Sequence, residues 1–194
     1  MQTIEIACLT LMSFFSIIKK SKMHSLKIGD KIIYPNQGIG VIEDIQDENY
    51  YGEKFKIYHL RLLSSDTLVL VPSASAEEIG IRKPISPELI ESTFEFMRNG
   101  TVKVTMNWKG RYKENLNLMK SGLMSNVAFV LKRLYYLNLI KPLSFREKKM
   151  MEKAKDLIVT EISEVSSIPS SIIERKVINN LSYCFRDVKP EIES

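Results

Sequence analysis

The spacing of apolar residues changes near Ser73, and this change constrains the possible folds more than any other feature of the sequence. Between residues 26 and 72, short runs rich in Ile, Val, Leu and Tyr alternate with polar, glycine-containing breaks, as in β-strands. After Ser73, apolar residues recur at helical spacing and follow residues that favour helix starts. The sequence therefore predicts an α+β protein in which a β domain precedes an all-α domain.

The first part predicts about five short strands, among them KIIYP, VIEDI, KFKIYHLRLL and TLVLVP, with QDENYYGE as a polar break. So few short strands cannot shield a core on both faces. We therefore expect a small antiparallel barrel of the Tudor or SH3 kind with an exposed edge. Gly38 and Gly40 fit a hairpin turn rather than a phosphate-binding loop.

The second part predicts five helices. Their expected starting residues are Ser86, Asn107, Ser125, Ser144 and Ser171. Pro87 at the first helical position supports the first start. Glu147 and Glu174, each three residues after a serine, complete capping-box patterns for the last two. Gly122 is expected to stop the second helix.

The third predicted helix is expected to lie at the centre of a helical bundle. Its apolar stripe consists of Val127, Val130, Leu131, Leu134, Leu137 and Leu139. The predicted domains are residues 23–85 for the β unit and 86–194 for the helices.

Residues 1–22 are interpreted as an extension outside the fold. Their apolar run IEIACLTLMSFFSII is too short and too interrupted for a membrane span. Its lysines follow the run, whereas a secretory signal carries its positive charge before it. The alternative is a weak membrane or partner anchor.

Excess positive charge is concentrated in one part of the chain. The whole sequence has a net charge of +5, but residues 103–155 hold thirteen basic and three acidic residues. This asymmetry predicts an anionic partner, most often nucleic acid, or else a solvated basic helical face.

No enzyme or metal site is predicted. The two cysteines, Cys8 and Cys184, and the two histidines, His24 and His59, are isolated from one another in the sequence. They form no metal-binding or catalytic pattern, so we expect no cofactor, metal or small-molecule substrate. Without a disulfide framework, the expected location is the reducing cytoplasm.

The stretch NWKGRYKENL places the single tryptophan, Trp108, at the start of a predicted helix among cations. Lys109, Lys113 and Lys120 share one face, which suits phosphate contact. Tyr112, Leu116 and Met119 fall on the stripe that should face the core. Trp108 either packs on Tyr112 or stacks on nucleic-acid bases.

A second basic cluster follows in FREKKMMEKAK. Arg146, Lys149 and Lys153 lie on one face of the predicted helix. The cluster is expected to be a solvated face, with additional phosphate contacts as the alternative.

Three stretches together resemble the CarD/CdnL family of bacterial transcription regulators. They are KIGDKIIYPNQGIGVIEDI, DTLVLVP with EEIGIR after it, and NWKGRYKENLNLMKSG followed by LSFREKKMMEKAK. The resemblance extends from about Leu26 to about Ser182 and implies a Tudor-like RNA-polymerase-interacting domain plus a helical DNA-binding domain.

The resemblance implies that an edge strand docks on the lobe of the polymerase β subunit by sheet augmentation. The candidate contact residues are Thr67, Leu68, Val69, Leu70 and Val71. It also implies that the helical domain binds promoter DNA at the upstream fork of the melted region, in the nucleoid.

In that comparison Trp108 matches a wedge that presses into the minor groove beside the opened base pairs, which would stabilise the open complex. Arg111 and Lys113 match nearby phosphate-binding residues, and Lys109 and Lys149 are further candidates for DNA contact. Glu48, Leu70 and Gly110 stand where some relatives carry basic residues.

Two other functions fit the composition. One is a chromosome-associated protein that binds DNA without sequence specificity and without polymerase. The other is a protein adapter that does not bind DNA.

Overall fold

The computed structural model describes residues 26–50, 53–99, 102 and 108–188, apart from the side chains of Tyr50, Glu53, Lys54 and Trp108. The predicted extension 1–22 and the predicted cap Asn107 lie outside these residues. The described strands are β1 (Lys31–Tyr34), β2 (Gly38–Tyr50), β3 (Glu53–Leu62) and β4 (Thr67–Pro72). The described helices are α1 (Ser73–Ile79), α2 (Pro87–Arg98), α3 (Trp108–Lys120), α4 (Met124–Ile140), α5 (Phe145–Ser166) and α6 (Ser170–Cys184). The predicted α+β fold, a small antiparallel β unit followed by a helical bundle, is confirmed.

The four strands form an antiparallel meander in the order β1-β2-β3-β4. Within the described chain β4 pairs with β3 alone, so it forms one edge of the sheet. At the other edge, beyond α1, a single bridge joins Ile33 to Arg82, with N···O distances of 2.7 and 3.2 Å. In the described part of the chain this bridge takes the place of a fifth strand.

The prediction that QDENYYGE breaks the sheet is wrong for most of that stretch. Strand β2 continues to Tyr50, and its pairing with β3 runs from Gln46 opposite Ile57 to Asn49 opposite Lys54. This part of β2 is exposed, so its polar side chains remain in water while the backbone groups pair. Glu48 lies on this polar two-stranded ribbon.

The sheet buries one face because side chains alternate along each strand. In β3, Tyr58, Leu60 and Leu62 are buried, whereas the intervening His59 and Arg61 are not. The rest of this core comprises Leu26, Ile32, Ile42, Val71, Ala76 and Ile81.

Helix α4 is central to the bundle, as predicted. Five of the six residues of its predicted stripe are buried, namely Val127, Val130, Leu131, Leu134 and Leu137. Leu139, near the end of the helix, is only half-buried. The surrounding helices α2, α3 and α5 all contact α4.

The helix starts follow the predictions in part. Ser86 is the N-cap residue of α2, with Pro87 after it. The capping box of α5 is confirmed: the Glu147 amide donates to the Ser144 hydroxyl, and the Ser144 amide donates to the Glu147 carboxylate. Helix α4 begins at Met124, one residue before Ser125.

The capping box predicted for Ser171 and Glu174 is wrong. Helix α6 begins at Ser170, directly after Pro169, and has no side-chain cap. The carboxylate of Glu174 instead accepts an ion pair from Lys155 at 2.8 Å. The start is therefore set by the fixed backbone of proline and by a contact with α5.

The sheet packs directly against the helices. The guanidinium of Arg82 donates to both carboxylate oxygens of Glu161 on α5, at 2.6 and 2.9 Å, and to the carbonyl of Gly122 at 2.9 Å. Gly122 has φ +67°, and a Cβ there would lie 2.8 Å from Pro35 Cγ in the β1–β2 turn. A glycine at this position permits both the backbone conformation and the close approach.

Candidate nucleic-acid interface

Helix α3 contains the motif that the sequence singled out. Trp108 is its first residue, but the position of its side chain lies outside the described part of the chain. Met119 is buried in the helical core, and Tyr112 and Leu116 pack partly buried against it, as predicted. The helix is therefore anchored along the expected stripe.

Arg111 is buried, and a role in binding phosphate does not fit its position. Its side chain is 1% exposed. Nε and Nη2 donate to Oε1 of Glu147 at 3.1 and 2.7 Å. Arg111 and Asn115, four residues apart, are both buried on the inner stripe of α3. The carboxylate of Glu147 neutralises the guanidinium there, so the charge of Arg111 is compensated within the protein and does not reach the surface.

Glu147 remains ionised within this pair. Burial alone would raise its pKa, but hydrogen bonds from Arg111 and Ser144 outweigh that effect and hold the pKa below its ordinary value. One carboxylate therefore caps α5 and holds Arg111 of α3. The first turns of the two helices are joined.

The lysines of α3 lie on the outer side of the helix. Lys109, Lys113 and Lys120 are exposed, and at 100° per residue they fall within about 40° of one another around the helix axis. In the described part of the chain, neither Lys113 nor Lys120 has a carboxylate within ion-pair distance. This stripe borders the one that holds Tyr112 and Leu116.

A second set of cations faces α3 from α5. Arg146 and Lys149 are exposed and Lys153 is half-buried, and none of them forms an ion pair with a described carboxylate. Lys155, on another side of α5, differs because Glu152 and Glu174 both contact it at 2.8 Å. Lys155 is thus held by two carboxylates, whereas Arg146, Lys149 and Lys153 are not.

An open groove of about 230 Å³ separates the two helices. Its apolar lining consists of Tyr112, Leu116, Met119, Phe145 and Met150, and its polar lining of Asn36, Arg146, Lys149 and Lys153. Among these described residues there is no Asp or Glu. The cations that line the groove all belong to α5. An apolar floor beside such cations suits a ligand that combines flat apolar groups with negative charge.

Phe145 is the most exposed large apolar residue described in the chain, at 71%. It is the first residue of α5, and the Nζ of Lys149 lies 4.7 Å from its ring centroid. The sequence interpretation missed it because Phe145 precedes the apolar stripe of α5. The signal that could have revealed it is an aromatic residue directly after the capping serine.

The outer face of β4 is apolar. Leu70 is 56% exposed and Leu68 43%, whereas Val71 is buried and Val69 half-buried. Thr67, at the start of the strand, is exposed. The predicted contact residues 67–71 therefore divide into an outward set and an inward set, as the pleat requires.

On β3, the residue paired with Leu68 is already engaged elsewhere. Arg61 donates from Nε and Nη2 to the two carboxylate oxygens of Glu43, at 3.0 and 3.1 Å. His59 pairs with Leu70 on the same face. The outer face of β4, beside its unpaired edge, thus presents exposed leucines, and the nearby Arg61 is held by Glu43.

The described residues contain no group of three or more His, Cys, Asp or Glu side chains that could hold a metal ion. Over the same part of the chain, each helix is too short or too polar to cross a membrane.

Comparison with known proteins matches both halves of the chain. Residues 26–85 match the CarD-like/TRCF RID domain, and residues 92–178 match the CarD C-terminal domain. A polymerase-interacting sheet module followed by this helical domain defines a CarD-like transcription factor. The chain belongs to the CarD/CdnL family.

Among similar proteins is YdeB of Bacillus subtilis (strain 168), a proposed transcription factor. It is 28% identical over 148 residues, which cover 76% of this chain and 97% of YdeB. The solution NMR structure of the 72-residue N-terminal domain of Myxococcus xanthus CarD is 32% identical, with a TM-score of 0.27. It covers 32% of this chain and 84% of that domain. CdnLNt from Myxococcus xanthus is 31% identical, with a TM-score of 0.28, over 35% of this chain and 96% of that one.

Proposed function

We propose that this protein is a non-enzymatic transcription regulator that binds RNA polymerase and promoter DNA at the same time. The observation that carries the proposal is the groove between α3 and α5. Arg146, Lys149 and Lys153 line it and form no ion pair with a described carboxylate, no described Asp or Glu lines it, and Trp108 begins the helix on one side. This arrangement matches the charge of a DNA backbone.

Polymerase binding is assigned to the edge strand β4. An added strand from the β-subunit lobe would complete the hydrogen bonding of this edge, and its side chains would meet Leu68 and Leu70. Specificity at this contact would come from apolar packing, because Arg61 is held by Glu43.

DNA binding is assigned to the helical domain at the upstream fork of the transcription bubble. Lys109, Lys113 and Lys149 contact phosphates, which position the protein without reading sequence. Trp108 presses into the minor groove beside the opened base pairs and disfavours reannealing. Arg111 contributes indirectly, since its bond to Glu147 holds α3 in place.

The test is the lifetime of open complexes formed by polymerase on a promoter fragment and challenged with a competitor. Wild-type protein is expected to lengthen the lifetime, and Trp108→Ala is expected to remove most of that effect while still co-purifying with polymerase. DNA binding without any association with polymerase would favour a chromosome-associated protein. Polymerase association with no response to Trp108→Ala would exclude the wedge.

A further inference from the structure

We infer that the groove between α3 and α5 binds an unpaired nucleotide of single-stranded DNA, with Phe145 as the stacking surface. This inference rests on the proposed function and adds a second base contact beside Trp108. The first observation is that Phe145 is strongly exposed and lines the groove.

The lining of the groove matches the two chemical parts of a nucleotide. A base is flat and apolar on its faces, and Phe145, Tyr112 and Met150 offer apolar surface of that kind. A phosphate is anionic, and Arg146 and Lys149 stand beside the same surface. In a duplex the faces of the bases are stacked on one another. An unpaired base can present a face to the groove, whereas a base inside the duplex cannot.

The position of the groove places it beside the predicted wedge. The bond between Arg111 and Glu147 joins the first turn of α3 to the first turn of α5. Phe145 begins α5 and Trp108 begins α3, so both aromatic residues lie at the joined ends of their helices. A protein bound at a fork would have one aromatic residue at the junction and another available to the separated strand.

The experiment compares two DNA probes bound by the full chain at low salt. One is a blunt duplex and the other is a fork with a single-stranded arm of about ten nucleotides, a length within the range of single-strand site sizes. Fluorescence anisotropy gives the affinity for each. Phe145→Ala is expected to weaken binding to the fork by roughly tenfold, and binding to the blunt duplex is expected to stay unchanged.

Phe145→Tyr keeps an aromatic face and is expected to keep the affinity for the fork, whereas Phe145→Leu is not. Ile172→Ala is the matched control, because Ile172 is exposed on α6 and lines no part of the groove. Equal effects of Phe145→Ala on both probes, or none on either, would overturn the inference and leave the proposed function intact. Failure of the wild-type chain to bind either probe would overturn both.

Discussion

Arg111 donates two hydrogen bonds to one carboxylate oxygen of Glu147 in the protein interior, 36 residues along the chain. The carboxylate also belongs to the capping box of α5. Because α3 begins at Trp108 and carries the exposed lysines, this pair, together with the packing of Tyr112, Leu116 and Met119, holds those residues in place relative to the cations of α5. The buried Arg111 therefore holds α3 in place within the proposed interface and is not available to contact DNA.

Replacing Arg111 by Met is expected to destabilise the protein by about 3–5 kcal/mol, because it leaves the Glu147 carboxylate buried without a cation. Adding Glu147→Gln should recover part of that loss, since the buried charge is then absent. Urea unfolding of the two single variants and the double variant measures the coupling. Ser144→Ala, which removes the cap and one hydrogen bond to the Glu147 carboxylate but keeps Arg111, should cost about 1 kcal/mol. Additive effects of Arg111→Met and Glu147→Gln would contradict the pairing.

The stability of the fold should depend on pH through Glu147. Its pKa in the folded state lies below the ordinary value of 4.5. Ionisation of Glu147 therefore stabilises the fold fully above pH 4.5, and this contribution is lost as the pH falls through the folded-state pKa. Glu147→Gln should flatten the decline in melting temperature at acid pH. Glu114, whose pKa Arg133 also lowers, should preserve the rest of the decline. An unchanged acid profile in the variant would show that the pair does not contribute.

Lys113→Glu should weaken DNA binding and reduce its salt dependence. Each phosphate contact that is lost should lower the slope of log K against log salt by about 0.9. Titration of one duplex at several salt concentrations gives the slope. Arg175→Glu makes the same change of charge at an exposed position on α6, a helix that carries none of the proposed DNA contacts. Equal reductions for both variants would indicate a general charge effect rather than a defined interface.

Leu70→Asp should reduce co-purification of polymerase by roughly tenfold or more, since it places a charge within the proposed apolar contact on β4. Ile28→Asp is the control, because Ile28 is 62% exposed and lies outside β4. Both variants should remain folded, as both side chains are exposed. Retention of polymerase by Leu70→Asp would move the contact away from the outer face of β4.

Gly122→Ala should cost more stability than Gly29→Ala. Both glycines have positive φ, at +67° and +87°, so each alanine has a backbone cost of about 1 kcal/mol. Only at Gly122 would the new Cβ also meet Pro35, whereas nothing lies within 4 Å at Gly29. The difference between the two free energies of unfolding isolates the contact of the sheet with the helices. Equal losses would mean that Pro35 moves aside freely.

Most of the features that the sequence predicted correctly depend on neighbouring residues, although the capping box predicted for Ser171 and Glu174, also a local pattern, is absent. Pro87 after Ser86, the Ser144–Glu147 capping box and the apolar stripe of α4 all act within a few residues, and all are present in the fold. The polar ribbon of β2 was missed because its pairing with β3, rather than its composition, makes it a strand.

Arg111 illustrates what a local pattern cannot show. The family resemblance implied that Arg111 binds phosphate, but Glu147, the residue that holds its guanidinium, lies on another helix. The position of Arg111 four residues before Asn115, on the inward side of Tyr112, was the available signal for burial. The lysines lie as the helical spacing predicted, because exposed residues do not depend on a distant partner.

Gly122 lies close to Pro35, and Arg82 binds Glu161 beside them. These contacts set the distance between the outer face of β4 and the groove between α3 and α5. Under the proposed function, docking of β4 on polymerase would place the helical domain over one stretch of the promoter, at a set number of base pairs from that contact. A change that lengthens or loosens these contacts would then shift the promoter segment that the helical domain reaches. The polymerase-binding and DNA-binding surfaces themselves would be unchanged.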